Sequence, residues 1–159
     1  MKKLVSRFMA VLMAMTMILS MSMTAFAADA PKGTLTVNNT VAGKTLDLYQ
    51  IFTATKNGDN VAYTLNSAYE GFFQSKITDA STLTGEALSE KAYDYVKTQV
   101  GTDGSNGAAF AKDMLGWILD SKNNITATKT VVTTAPSTQI SDLAYGYYLV
   151  YPKGATDTS

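Results

Sequence analysis

The chain has 159 residues, with 13 basic against 13 acidic side chains, no histidine and no cysteine. Those absences remove serine–histidine and cysteine–histidine catalysis, the usual zinc sites and disulfide stapling. Beyond the leader described next, ten lysines and no arginine stand against thirteen acids, which argues against nucleic acid as a partner and against bidentate recognition of carboxylate or phosphate.

Met1-Lys2-Lys3 and Arg7 form a basic start, and Phe8 to Met23 is apolar. Ala25-Phe26-Ala27 is a small-x-small cleavage signal. The pattern predicts a secretory signal peptide over residues 1–27, cut between Ala27 and Ala28. The apolar run is short and the cleavage signal follows it directly, unlike a membrane anchor, so membrane contact is expected only during export. Residues 28–159 are enough for one domain with its own core.

Gly33 to Val41 alternates Leu35 and Val37 with Thr34 and Thr36, a half-buried strand. Ala42-Gly43-Lys44 is a turn. Thr45 to Thr55 is a second strand whose apolar phase switches near Tyr49, which predicts a bulge or passage into the core. Asn57-Gly58-Asp59-Asn60 is a turn, and Val61 to Leu65 returns as a hairpin partner. The first third therefore reads as a β-meander.

The period then becomes helical. Leu88, Ala92, Tyr95, Val96 and Val100 share a stripe over Glu86–Val100, with Thr84 as its cap and Gly101 as its stop. A second helix over Ala108–Ser121 carries Phe110, Met114, Trp117 and Ile118, read as core. Ala127 to Thr134 is a strand, Ala135 to Thr138 a turn and Gln139 to Leu143 a short edge. Tyr147 to Tyr151 are consecutive β-formers without polar alternation. They fit a last strand buried on both faces, or one with a loop over its outer face. Strands, two helices and more strands predict a mainly β, α+β domain, a sandwich with a helical insertion at one edge.

Candidate chemistry is sparse. Asp113/Asp120, Glu86/Glu90 and Glu90/Asp94 fall on helices at solvent-facing spacings, and no pair indicates a cleft. The GTDGSNG loop, with Asp103 and Asn106, lacks calcium-loop spacing and reads as a helix connection. No enzyme activity, cofactor or metal is expected. Lys153, after Pro152, is either a reactive amine or an idle lysine at a strand end.

The order GTLTVNNTVAGKTLDLYQIFTAT, YTLNSAYEGFF, FAKDMLGWILD and DLAYGYYLV resembles the N-terminal domain of Gram-positive sortase-assembled pilin subunits, the isopeptide-forming fimbrial proteins. The resemblance covers nearly all of residues 28–159. It implies an immunoglobulin-like sandwich, incomplete at its C-terminal end, in a structural and adhesive subunit of a cell-wall pilus. Its partners would be other pilin subunits, a sortase and a host surface ligand. Such subunits carry internal lysine amide bonds in place of disulfides. Relatives often read YKIF where Tyr49-Gln50-Ile51-Phe52 stands, and Gln50 supplies no amine for such a bond.

The family's polymerisation motif is W-x-x-x-V-x-V-Y-P-K, whose lysine joins one subunit to the next. Val150, Tyr151, Pro152 and Lys153 match it. Ala144 stands in place of the tryptophan and Tyr148 in place of the first valine. Those departures favour the idle lysine over the acceptor. Without a sorting signal, the chain reads as an N-terminal piece of a longer subunit. The other functional reading is a secreted module that binds a host glycan or matrix protein.

The leader gives the first test. N-terminal sequencing of the exported protein should begin at Ala28, and a retained Met1 would overturn the assignment.

Overall fold

The computed structural model describes residues 32–57, 59–101 and 106–153. The predicted leader, with Ala27 and Ala28, and the ATDTS end lie outside them. The elements run β1 (Lys32–Asn38), β2 (Thr45–Asn57), β3 (Asn60–Leu65), α1 (Glu70–Lys76), α2 (Gly85–Val100), α3 (Gly107–Leu119), β4 (Lys129–Val132), β5 (Ser137–Ala144) and β6 (Gly146–Lys153). The result is an α+β arrangement of three helices with two antiparallel sheets.

β2 is the strand that joins the sheet. Along one edge it pairs with β6 from Thr45↔Lys153 to Thr53↔Gly146. Along the other it pairs with β4 over Thr45–Leu48 and with β3 over Phe52–Asn57. Side chains and loop backbone fill the gap between β4 and β3. Thr128 N–H donates to the Leu48 carbonyl at 2.7 Å and Asn66 N–H to that of Ile51 at 2.8 Å. Gln50 N–H donates to Thr128 Oγ1 at 2.9 Å, and Asn66 Nδ2 to the Gln50 carbonyl at 3.0 Å. The backbone of a buried strand needs such partners wherever the ladder stops.

The switch of phase in β2 is a bulge. The register with β6 slips between Gln50↔Tyr148 and Phe52↔Tyr147, which leaves Ile51 as the extra residue. Leu46 and Leu48 enter one core, while Tyr49, Ile51 and Phe52 enter another. Strict alternation would put Phe52 on the face of Leu48, and one inserted residue returns it to the face of Ile51. β6 is buried on both faces, as its unbroken apolar run predicts. Tyr148 and Val150 join the first core, and Leu149 the second, with Tyr147 and Tyr151 packed against it.

The predicted meander is corrected. β1 pairs with β5, from Lys32↔Ala144 to Asn38↔Ser137, and not with β2. Both edges of β2 are occupied by β6, β4 and β3, so no ladder is left for β1. The turn at Gly43, with φ of 83°, instead leads from the small sheet to the large one. Leu35 and Val37 of β1 and Ile140 and Leu143 of β5 then close the core over Leu46, Leu48, Tyr148 and Val150.

The helices cover the other face. Leu88, Ala92 and Val96 of α2 and Phe110, Met114 and Ile118 of α3 are buried, as their spacing predicts, while Tyr95 and Val100 are half-buried. Thr84 precedes α2 in extended conformation, but its side chain caps nothing; Gly101 ends the helix with φ of 84°. The expected pair of helices is joined by a third, α1, whose Phe72 and Phe73 are fully buried. Seven residues give too little periodicity to mark a helix in the sequence. Ser89 ties this layer to the sheet, its Oγ accepting from Leu65 N–H at 2.9 Å. No helix among the described residues is long and apolar enough to cross a membrane.

Trp117 and Tyr147, expected in the core, are half-buried. The indole lies against Tyr69 and Phe72, with ring centroids 6.4 and 6.0 Å apart, and covers the α1 backbone at Gly71. The buried ring at position 72 should therefore matter more than the indole. Phe72→Ala should cost about 3–5 kcal/mol in urea melts and Trp117→Ala distinctly less. The reverse order would contradict this packing.

Candidate functional site

Lys153 is the last described residue of β6, and its side chain is exposed. The ladder holds it opposite Thr45, and Thr45 also faces Val132 of β4 on its other edge. The strand end is thus fixed from both sides of β2. Pro152 lies opposite Leu46, half-buried, and has no N–H to offer a further strand. The amine of Lys153 makes no ion pair among the described residues.

Two register positions inward, Asp47 lies opposite Tyr151. Directly opposed residues share a face, as do alternate residues on one strand, so Asp47 and Lys153 are diagonal neighbours on the same face. Such diagonals are within reach of a long side chain. Asp47 is buried, and its Oδ1 accepts from Thr130 Oγ1 at 2.7 Å. Deeper on this face, burial pushes the Tyr49 phenol up, with Asp47 and Tyr151 adding to the effect. The arrangement sets an exposed amine at a strand end, diagonal to a buried carboxyl group on the same face. An amine must lose its extra proton before it acts as a nucleophile.

The sequence did not single out Asp47. Between Leu46 and Leu48 it reads as an ordinary outward polar residue. The signal is visible only with β4 and β6 in place, when both edges of the strand and both of its faces are covered.

Gln50 has a structural role. Its side chain is buried and donates from Nε2 to the Tyr145 carbonyl at 3.2 Å, where the chain passes from β5 to β6. The backbones are so close here that a Cβ at Gly146 would lie 2.1 Å from the Phe52 carbonyl oxygen and 2.9 Å from Gln50 Nε2. Glycine is required by space alone. Of the described lysine side chains, Lys129 is half-buried and the others are exposed. Lys129 Nζ donates to the Ser141 carbonyl at 2.9 Å, and Lys76 pairs with Asp113 at 2.9 Å.

The carboxylates weighed in the sequence do not converge. Glu86, Glu90, Asp94, Asp113 and Asp120 are all exposed. Asp94 pairs with Lys97, and Asp120 accepts from Lys122 N–H to start a short 3-10 turn. Asp103 lies outside the described residues, and Asn106 precedes α3 without capping it through its side chain. Among the described residues, no three His, Cys, Asp or Glu side chains gather as a metal site.

Tyr148 is fully buried, and its hydroxyl donates to the Ala144 carbonyl at 2.6 Å. The fold and site together describe an α+β domain with an exposed lysine at the end of its doubly buried last strand. The sequence matches no protein-family model and no curated protein.

Burial pushes the Tyr148 phenol up from its ordinary 10.0 to about 12. Between those values the unfolded chain releases a proton that the folded one keeps, so stability falls as pH rises. The urea midpoint should drop as pH rises from about 10 to about 12, and Tyr148→Phe should make that drop shallower. An equal drop in the variant would show that Tyr148 contributes nothing to it.

Proposed function

We propose that the chain is part of a structural subunit of a secreted, cell-wall pilus whose subunits are joined covalently by a sortase. In this reading the two sheets form an immunoglobulin-like sandwich and Lys153 is the amine that accepts the preceding subunit. The observation that carries it is the exposed amine after Pro152, without an ion pair among the described residues, on a strand end that β2 fixes in place. The order of sequence motifs supports the same reading, as does the secretory leader.

The chemistry is an aminolysis. The neutral amine of Lys153 would attack the acyl-enzyme that the sortase forms on another subunit's threonine. A new amide bond would form, the enzyme's thiolate would depart, and the amine's proton would pass to a base. Asp47 is the nearest carboxyl group on that face by register. Exposure keeps the desolvation of the lysine small, and a rigid strand end limits the entropy lost on docking.

Incubation of the full-length subunit with its cognate sortase decides the matter. The native protein should give a ladder of covalent multimers, and folded Lys153→Ala should give none. A ladder that persists in Lys153→Ala would place the acceptor elsewhere and leave the pilin reading standing. No ladder from the native protein would overturn the pilin reading itself.

A further inference from the structure

A side-chain cluster distant from Lys153 in the register has no part in that reading. Tyr63 of β3, Tyr93 of α2 and Tyr147 of β6 meet beside the fully buried Phe52. Ring centroids are 4.9 Å apart for Tyr63 and Tyr147, 5.0 Å for Tyr63 and Tyr93, and 6.1 Å for Tyr93 and Tyr147. Phe52 supports the group edge-on, 5.8 Å from Tyr147 and 6.2 Å from Tyr93. All three tyrosines are half-buried, so each keeps some contact with solvent. The aromatic contacts of Tyr69 and Tyr95 described in this fold are with phenylalanine or tryptophan; here phenol meets phenol.

We propose that Tyr63 and Tyr147 are an oxidative cross-linking site, joined as an intramolecular dityrosine when the protein meets hydrogen peroxide and a haem peroxidase. Their two rings are the nearest pair of the cluster, stacked with planes 25° apart, so a small swing of one ring brings an ortho carbon of each to the other's edge. The Tyr147 and Tyr63 hydroxyls interact as hydrogen-bonding neighbours in their titration. Burial, with the hydrogen bonds to Tyr93 and Tyr63, pushes the Tyr147 phenol up, so it holds its proton at neutral pH.

Tyr93 is the poorer partner. The Lys97 ammonium lies 4.8 Å from its ring centre, and a cation over a ring opposes removal of an electron from it. In residues 28–159 the side chain that competes most directly for oxidation is the half-buried Trp117. Those residues have no cysteine and no histidine, and their one methionine, Met114, is fully buried.

The reaction balances with peroxide alone as oxidant. Each phenol gives up one electron and its hydroxyl proton. The two ring radicals join through a carbon–carbon bond ortho to the oxygens. The two ortho hydrogens then move to the oxygens as the rings regain aromaticity. The two electrons and two protons turn one hydrogen peroxide into two waters. The link would tie the β2–β3 hairpin to β6 and enclose all three helices with β4 and β5. Closing so long a loop restricts the unfolded chain, as a disulfide does.

The test treats the dilute full chain with hydrogen peroxide and a haem peroxidase. The expected product is a monomer lighter by two hydrogens, with dityrosine fluorescence, a raised urea midpoint and a digest fragment that joins the segments containing Tyr63 and Tyr147. Tyr63→Phe and Tyr147→Phe should each abolish that fragment, while Tyr148→Phe should keep it. The native chain unfolded in urea should lose it as well, which decides the question even where a phenylalanine variant does not fold. A monomer of unchanged mass, a link between other tyrosines, or a link that survives Tyr147→Phe would overturn the proposal.

Discussion

The extra residue at Ile51 keeps Phe52, as well as Tyr49 and Ile51, in the helical core. Up to Gln50, β2 sends Leu46 and Leu48 toward β1 and β5, and Tyr49 toward the helices. After the bulge, Phe52 also faces the helices, beside Phe73, Tyr93 and Tyr147. A regular strand would send that ring into the smaller core and leave the helical layer without its central contact. The close approach at Gly146 and the side chain of Gln50 lie at the same place, so bulge, glycine and glutamine form one local solution.

Without disulfides, the fold is closed by apolar burial and by short polar side chains that complete the backbone ladder. Thr133 shows the pattern. Its hydroxyl accepts from Lys44 N–H at 2.9 Å and donates to the Val41 carbonyl, which fixes the turn between β1 and β2 to the end of β4. Thr138 accepts from Thr134 N–H at 3.0 Å on the approach to β5. Thr128 and Asn66 do the same for the gap in the edge of β2. Among the described residues, every buried side-chain polar atom has a partner. A hydrogen bond adds little net stability, but an orphaned buried group costs much more, so these threonines act by preventing loss.

The proposed lysine site draws on the same construction. A strand that ends at an exposed amine is useful only if its backbone does not wander, and β6 is held along its length by β2 and by burial on both faces. The tyrosine cluster lies toward the other end of that strand, where Tyr147 meets residues from β3 and α2. Both features therefore depend on the pairing of β2 with β6.

Local patterns determined much of this. The predicted leader is a linear pattern, read without any fold. The helical stripes of α2 and α3, the doubly buried last strand and the break in phase near Tyr49 follow from periodicity, because side-chain direction repeats with the backbone. Lys153 was legible as an exposed strand end because Pro152 precedes it. Only the tertiary structure decided that β1 pairs with β5, since the choice depends on which edges β6, β4 and β3 leave open. It also decided the burial of Asp47, the half-exposure of Trp117 and the convergence of Tyr63, Tyr93 and Tyr147. Each depends on neighbours distant in the chain. A residue's local pattern gives the direction of its side chain, but what covers that side chain is a property of the assembled sheets and helices.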